Sequence, residues 1–372
     1  MPLSTPFEIF AVVQPGLEDV LAAEMRACGF ADPVVQPGGV AITGGWPDVW
    51  RANLQLRGAT RILARIDTFR AVHLSQLDKH VRRMPWQTLL KPGIAVRVDA
   101  TCRKSKIYHA GAVAQRVGDA ISDIAGAPVE ADAALRVMAR IDDNVCTLSI
   151  DTSGEMLHRR GHKQAVNRAP MRETLAALFL RACGYDGSET VLDPMCGSGT
   201  FVIEAAEIAS GLAAGRARSF AFEALAGFDA DAWQALRASL APRSHDLIFH
   251  GSDRDPGAVR MSRENAERAG VAGMSRFTQT DIADLVPPDT GAPGLVIVNP
   301  PYGGRIGNRK ALYGVYAALG ASLARRFSGW RVGLVTSDAA LARATRLPFG
   351  PPGRPVDHGG IKIRLYVTGA LR

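Results

Sequence analysis

Two short runs, each at the end of a buried strand, constrain the fold more than any other part of the chain. Thr190-Val191-Leu192 leads into Asp193-Pro194-Met195-Cys196-Gly197-Ser198-Gly199-Thr200. About a hundred residues later, Leu295-Val296-Ile297-Val298 leads into Asn299-Pro300-Pro301-Tyr302. Apolar, β-branched runs of this length read as strands buried on both faces. From about Arg172 such runs alternate with helical stretches, the mark of a parallel α/β sheet. The strands expected are Glu189–Pro194, Leu247–Asp253, Arg276–Asp281, Gly294–Pro300, Arg331–Ser337 and Ile361–Thr368. The connection from Glu207 to His245 is long and carries one further predicted helix, Asp229–Leu240. Pro348 to Gly360, rich in Pro and Gly, reads as loop.

The N-terminal part has a different rhythm. A strand (Phe7–Val13), a helix (Gly16–Cys28), two short extended pieces (Pro33–Gln36, Gly39–Thr43), a helix (Pro47–Leu56) and a strand (Thr60–Phe69) follow one another. That β-α-β-β-α-β order is the ferredoxin-like pattern. A second small unit follows, with a helix at Leu74–Met84, a strand at Ile94–Ala100 and a long helix at Ile107–Ile124. Strands Leu135–Ile141 and Val145–Asp151 close it, joined by Asp142-Asp143-Asn144, a good hairpin turn. The division expected is residues 1–70, 71–155 and 156–372, with an insertion at 207–245.

The glycine turn removes Cβ bulk, so a ligand can touch backbone there. The helix start beyond it, Thr200–Ala209, offers free N–H groups. Its spacing is not the GxGxxG of dinucleotide folds. Asp193 at the strand tip can pair with a cationic ammonium group. Asp253, ending the next strand, sits where an acid reaches ribose hydroxyls in doubly wound sheets. Asp255, followed by Pro256, suits a helix cap instead. Asp281 ends the third strand and can accept from an adenine amino group or cap a helix. Asn299 and the Pro300 carbonyl can each take one N–H of a planar amine, freeing its lone pair for attack on a methyl donor. Pro301 stiffens the backbone, and Tyr302 offers a stacking face.

Net charge is +8, which favours a polyanionic partner. The charge is clustered at Arg103-Lys104-Ser105-Lys106 and between Met156 and Arg172, where Arg159, Arg160, Lys163, Arg168 and Arg172 occur without an acid. Both clusters read as phosphate contacts. Five scattered cysteines without a CxxC pair fit reduced thiols in the cytoplasm. Cys196, beside the glycine turn, has no base next to it and reads as packing. No HxxxH or HExxH pair, GxSxG turn, signal peptide or membrane span is read, so neither a metal nor a membrane partner is expected.

These residues resemble the THUMP-domain RNA methyltransferases of the bacterial type that modifies a guanosine N2 amine in large-subunit ribosomal RNA. Beyond the two strand-end runs, Phe201-Val202-Ile203-Glu204-Ala205-Ala206 and Ala169-Pro170-Met171-Arg172-Glu173-Thr174-Leu175-Ala176 carry the resemblance. It implies a ferredoxin-like plus THUMP module followed by a class I, Rossmann-like domain with a seven-stranded, mostly parallel sheet. It implies S-adenosylmethionine as cofactor, lined by Asp193, Met195, Cys196, Gly197, Gly199, Thr200, Asp253, Asp281 and Asn299. The catalytic set would be Asn299, Pro300, Pro301 and Tyr302, and the RNA-contacting set Arg103, Lys104, Lys106, Arg159, Arg160 and Lys163. The partner implied is 23S rRNA or a pre-ribosomal particle. A tRNA guanine, an adenine N6 amine and a non-catalytic RNA-binding assembly factor remain as alternatives. With its last strand so close to its end, the chain is similar to relatives carrying one enzyme activity rather than two. Its oligomeric state is left open.

Overall fold

The structure, a computed structural model, describes residues 6–164, 171–302 and 309–372, with the Arg309 side chain excluded. Arg168, Ala169 and Pro170 lie outside the described residues. The chain forms two compact units. One holds Met1–Val13, Met25–Leu157 and Arg218–Ser239; the other holds Gln14–Glu24, His158–Ala217 and Leu240–Arg372.

In chain order the N-terminal elements are β1 (Phe7–Val12), α1 (Glu18–Ala27), β2 (Val34–Gln36), β3 (Gly39–Gly44), α2 (Trp46–Gln55) and β4 (Arg61–Arg70). Next come α3 (Leu74–Val81), α4 (Trp86–Leu89), β5 (Val96–Arg103), α5 (Ala110–Ala125), β6 (Leu135–Asp142) and β7 (Val145–Asp151). All seven strands form one sheet, in the order β2-β3-β1-β4-β7-β6-β5. The two N-terminal regions are therefore continuous through the antiparallel β4–β7 ladder, whose register shifts between Arg65 and Asp67. Asp143 and Asn144 turn the β6–β7 hairpin with φ of 48° and 62°, the left-handed geometry tight hairpins favour.

The long connection contributes to the same unit. Arg218 donates to the carbonyls of Ser153, Glu155 and Met156. The Phe222 ring lies 6.1 Å from that of Trp50 on α2. Its helix is shorter by a residue at each end than expected, Ala230–Ser239.

The second unit contains α6 (Glu173–Ala182), β8 (Val191–Asp193), α7 (Thr200–Ala209), then, after α8 (Ala230–Ser239) in the first unit, β9 (Phe249–Asp253), α9 (Pro256–Ala269) and β10 (Ser275–Gln279). There follow β11 (Leu295–Val298), α10 (Arg309–Arg326), β12 (Arg331–Thr336), α11 (Ala339–Ala344), β13 (Val356–His358) and β14 (Ile361–Val367). The sheet order is β10-β9-β8-β11-β12-β14-β13. Every neighbouring pair from β10 to β12 is parallel; β14 is antiparallel to both β12 and β13. The chain leaves β8 toward one edge and begins the other half at β11. Ligands in open α/β sheets bind beyond strand C-termini at such a switch point. β13 lies in the stretch expected to be loop. Gly359-Gly360, with φ of 62° and 82°, makes it the first arm of a two-residue hairpin.

Candidate functional site

Register aligns the strand tips. Asp193 on β8 pairs with Gly251 on β9, and Val296 on β11 pairs with Leu192. Asp253 and Asn299 thus both stand about two residues beyond the level of Asp193, on either side of it. Asp193 is 3% exposed, and its carboxylate accepts from Met195 N at 3.1 Å. Burial, reinforced by the Asp253 charge, pushes its carboxyl up to about 8. It is therefore poised to ionise against an arriving cation.

Gly197 and Gly199 have φ of 55° and 80°, a conformation that L side chains rarely adopt. A Cβ at Gly197 would meet nothing within 4 Å, whereas one at Gly199 would stand 3.1 Å from Ser262 on α9. One glycine faces open space; the other permits close helix packing. Asp253 binds the turn directly: Oδ2 accepts from Gly197 N at 3.1 Å and Oδ1 from Asp255 N at 3.0 Å. Each carboxylate oxygen retains a further acceptor site. Asp255 accepts from Gly257 N at 2.8 Å and caps α9. Asp281 accepts from Ala283 N at 3.0 Å and caps a single 3-10 turn.

α9 supports the turn from below. Ser262 Oγ donates to the Gly197 carbonyl at 3.0 Å, and Asn265 Nδ2 to that of Ser198 at 3.0 Å. Arg268 donates to Asn265 Oδ1 at 2.6 Å and to the His162 carbonyl at 2.9 Å. Met195 is half-buried, while Thr200 and Cys196 are buried. The Cys196 Sγ lies 3.6 Å from Ser262 Oγ, and burial raises its thiol far above the ordinary range.

The second turn presents an unmet demand. Oδ1 of Asn299 is buried and has no hydrogen-bond partner among the described residues. A buried orphan acceptor costs roughly 1–3 kcal/mol, so a group of this kind calls for an N–H from outside. Pro300 is buried and Pro301 half-buried. Tyr302 departs from its expected role. Its ring is 2% exposed, and its hydroxyl lies 3.1 Å from His358 Nδ1. The ring is thus covered in this structure and held at its hydroxyl.

The two basic clusters also part company. Arg103, Lys104 and Lys106 are exposed. Their loop is braced by Ser105 Oγ accepting from Asn144 N at 2.9 Å and by Asn144 Oδ1 accepting from Lys106 N at 2.9 Å. Tyr108, 72% exposed, follows after the buried Ile107, its ring 4.2 Å from that of His109. An aromatic beside a basic run is a readable signal for nucleic acid, and the sequence reading passed over it.

Arg160 and Lys163 are not surface cations, contrary to expectation. Arg160 is 2% exposed and pairs with Glu204, 0% exposed, at 3.1 Å. Lys163 donates to the Met171 carbonyl at 2.7 Å and pairs with Glu173 at 3.5 Å. Burial lowers the pKa of Lys163 and raises that of Glu173. Neither cation can reach a phosphate while so engaged. Arg159 is exposed. His158 is pushed down to about 4 by burial and by Arg172, Arg159, Arg160 and Lys163, and stays neutral at pH 7.

A mostly parallel sheet in this order, with both turns at its switch point, is a Rossmann-like domain. The chain belongs to the family described as RMKL-like, methyltransferase domain, which matches residues 160–349. Residues 8–63 match the RlmL ferredoxin-like domain and residues 71–151 the THUMP domain. The ribosomal RNA large subunit methyltransferase K/L of Syntrophotalea carbinolica is 35% identical over 360 residues, covering 92% of this chain and 50% of that protein. A candidate RNA methyltransferase of Synechocystis sp. is 31% identical over 368 residues, covering 96% of this chain and 95% of that one. A solved candidate methyltransferase complexed with SAH superposes with a TM-score of 0.88 at 27% identity, covering 99% of both chains. The chain spans about half the length of its K/L relatives. Among the described residues no helix is long and apolar enough to cross a membrane.

Proposed function

We propose that this chain is an S-adenosylmethionine-dependent RNA methyltransferase acting on the exocyclic N2 amine of a guanosine, with 23S rRNA the favoured substrate. The observation that carries the reading is the buried Oδ1 of Asn299 at the switch point, unpartnered among the described residues. That oxygen and the Pro300 carbonyl accept the two amine hydrogens, which turns the nitrogen lone pair out of the base plane. The target base reaches them unpaired or flipped from its helix.

The residues of the first turn fit the cofactor. Asp193 is a buried carboxylate suited to an ammonium group, Asp253 keeps acceptor sites for ribose hydroxyls, and Gly197 leaves space where a side chain would stand. Met195, Cys196, Gly199, Thr200 and Asp281 border the same pocket in this reading, with Asp281 held as a cap. When bound, S-adenosylmethionine supplies an electrophilic methyl group on a sulfonium. The protein contributes orientation and exclusion of water, whose effect on rate is large when the reacting atoms are held in line.

The relatives named for ribosomal RNA methylation and the THUMP match favour RNA over DNA, and rRNA over tRNA. The first unit, with residues 218–239, then serves RNA docking and the second catalysis, with Arg103, Lys104, Lys106 and Arg159 as phosphate contacts. The test is methylation of protein-free rRNA and tRNA with labelled cofactor, followed by nucleoside mass spectrometry. N2-methylguanosine in 23S rRNA is expected. Asn299→Ala is expected to lower turnover at least ~100-fold, the scale of one preorganised polar contact, with cofactor affinity within a few-fold. N6-methyladenosine, a tRNA product or an active Asn299→Ala enzyme would each replace this reading.

A further inference from the structure

The prolines that stiffen the Asn299–Tyr302 turn also deprive it of anchors. Pro300 and Pro301 have no N–H, so neither can be tied to a neighbouring strand through a donor. Two of its other groups, the Pro301 carbonyl and the Tyr302 hydroxyl, make side-chain contacts. Both are gripped by side chains that lie far along the chain and that the sequence does not mark as functional.

The Tyr316 hydroxyl, on α10, lies 3.3 Å from the Pro301 carbonyl and 3.0 Å from Thr336 Oγ1 at the end of β12. A carbonyl only accepts. The Tyr316 hydroxyl, with one proton, donates toward both the Pro301 carbonyl and Thr336 Oγ1, so it links the turn to the end of β12. On the other side His358, the last residue of β13, holds the Tyr302 hydroxyl at 3.1 Å. Tyr316 and Thr336 are 0% exposed and His358 5%. Burying several polar groups in a core costs stability unless they are satisfied. Their convergence on one four-residue turn gives that cost a purpose.

The geometry points to Tyr316 and His358 as positioning residues that set the orientation of the Asn299–Tyr302 turn, with the Tyr302 hydroxyl as one of its anchors. The inference rests on the proposed role of Asn299 and Pro300 as amine acceptors. The Pro301 carbonyl is one peptide beyond that of Pro300, so pinning it limits rotation of the plane that aims the Pro300 oxygen. The Tyr302 hydroxyl pins the other end. Misplacing reacting groups by about 1 Å is enough to lower rates on the order of 100-fold.

The test compares single-turnover methyl transfer from labelled S-adenosylmethionine to bulk ribosomal RNA for Tyr302→Phe, Tyr316→Phe, His358→Leu, His358→Gln and the Tyr302→Phe/His358→Leu double variant. Cofactor dissociation constants and melting temperatures are measured on the same proteins. Tyr302→Phe keeps the ring and removes the anchor. It is expected to slow transfer at least tenfold, with cofactor affinity unchanged within a few-fold. Tyr316→Phe should behave likewise. His358→Gln, which can still bond the hydroxyl, should recover most of the rate lost in His358→Leu. The double variant should lose much less than the product of the two single losses, because both changes break the Tyr302–His358 contact.

Wild-type transfer rates in Tyr302→Phe and Tyr316→Phe would overturn the proposal. So would losses that only track melting temperature, or that multiply in the double variant. Asn299→Ala, run alongside, separates the two levels of the argument. If it is inactive while the phenylalanine variants are normal, the positioning role alone fails. If it is active, the amine-acceptor reading fails first.

Discussion

Arg103-Lys104-Ser105-Lys106 and the run from Arg159 to Lys163 look alike as sequence, two basic clusters free of acids, yet they face opposite environments. In the first, three cations stand in solvent on a loop whose backbone is bonded to the β6–β7 turn. In the second, Arg160 and Lys163 pair with glutamates on α7 and α6. His162 nearby lies 3.9 Å from Glu207, which also binds Arg216. The buried cluster ties the segment leading into the catalytic unit to the helix that starts at the glycine turn. A charge run is usually a solvated face. It becomes internal only where distant residues supply opposite charges, because an unpaired buried ion is costly.

The sharpest way to break this comparison is Arg160→Met. It leaves Glu204 buried without its guanidinium, and removal of one partner from a buried pair costs roughly 3–5 kcal/mol. Urea unfolding should show that loss, while the salt dependence of RNA binding stays as in wild type. A weakened salt slope with normal stability would return Arg160 to the RNA surface.

Neutralising Arg103, Lys104 and Lys106 together to Gln should do the reverse. Folding stability should hold, and the slope of log affinity against log salt should shrink by about 2, from roughly 0.7 per lost phosphate contact on single strands. Cofactor affinity, read by calorimetry, should not change.

The smallest expected effect is at Tyr108. Its exposed ring beside the cationic loop suits an unpaired base, and removing such a platform weakens single-strand binding by about 1–3 kcal/mol. Fluorescence anisotropy with an unstructured RNA oligonucleotide should register that loss for Tyr108→Ala. Tyr108→Phe should bind normally, and a duplex of the same length should be indifferent to both.

How far the fold could be read depended on how local each signal is. The glycine turn was legible because residues with φ of 55° and 80° need glycine, and the requirement is met within three positions. The cap at Asp255 was legible for the same reason, with its bond only two residues away. β13 was missed although its Gly359-Gly360 turn is a strong hairpin signal, because the prolines before it favoured loop. The fate of residues 218–239 had no local sign. Contacts of Arg218 with the carbonyls of residues 153, 155 and 156 bridge about sixty positions in sequence.

The chain's own order of residues determined the strand–turn–helix grammar, the two functional turns and the family. Those depend on φ preferences, missing N–H groups and apolar periodicity, which act over a few residues at a time. The tertiary structure alone decided which charges are buried, that Tyr302 turns inward onto His358, and that Tyr316 reaches the Pro301 carbonyl. The energy of a charge or a polar group depends on what surrounds it, and here the surroundings arrive from tens of residues away.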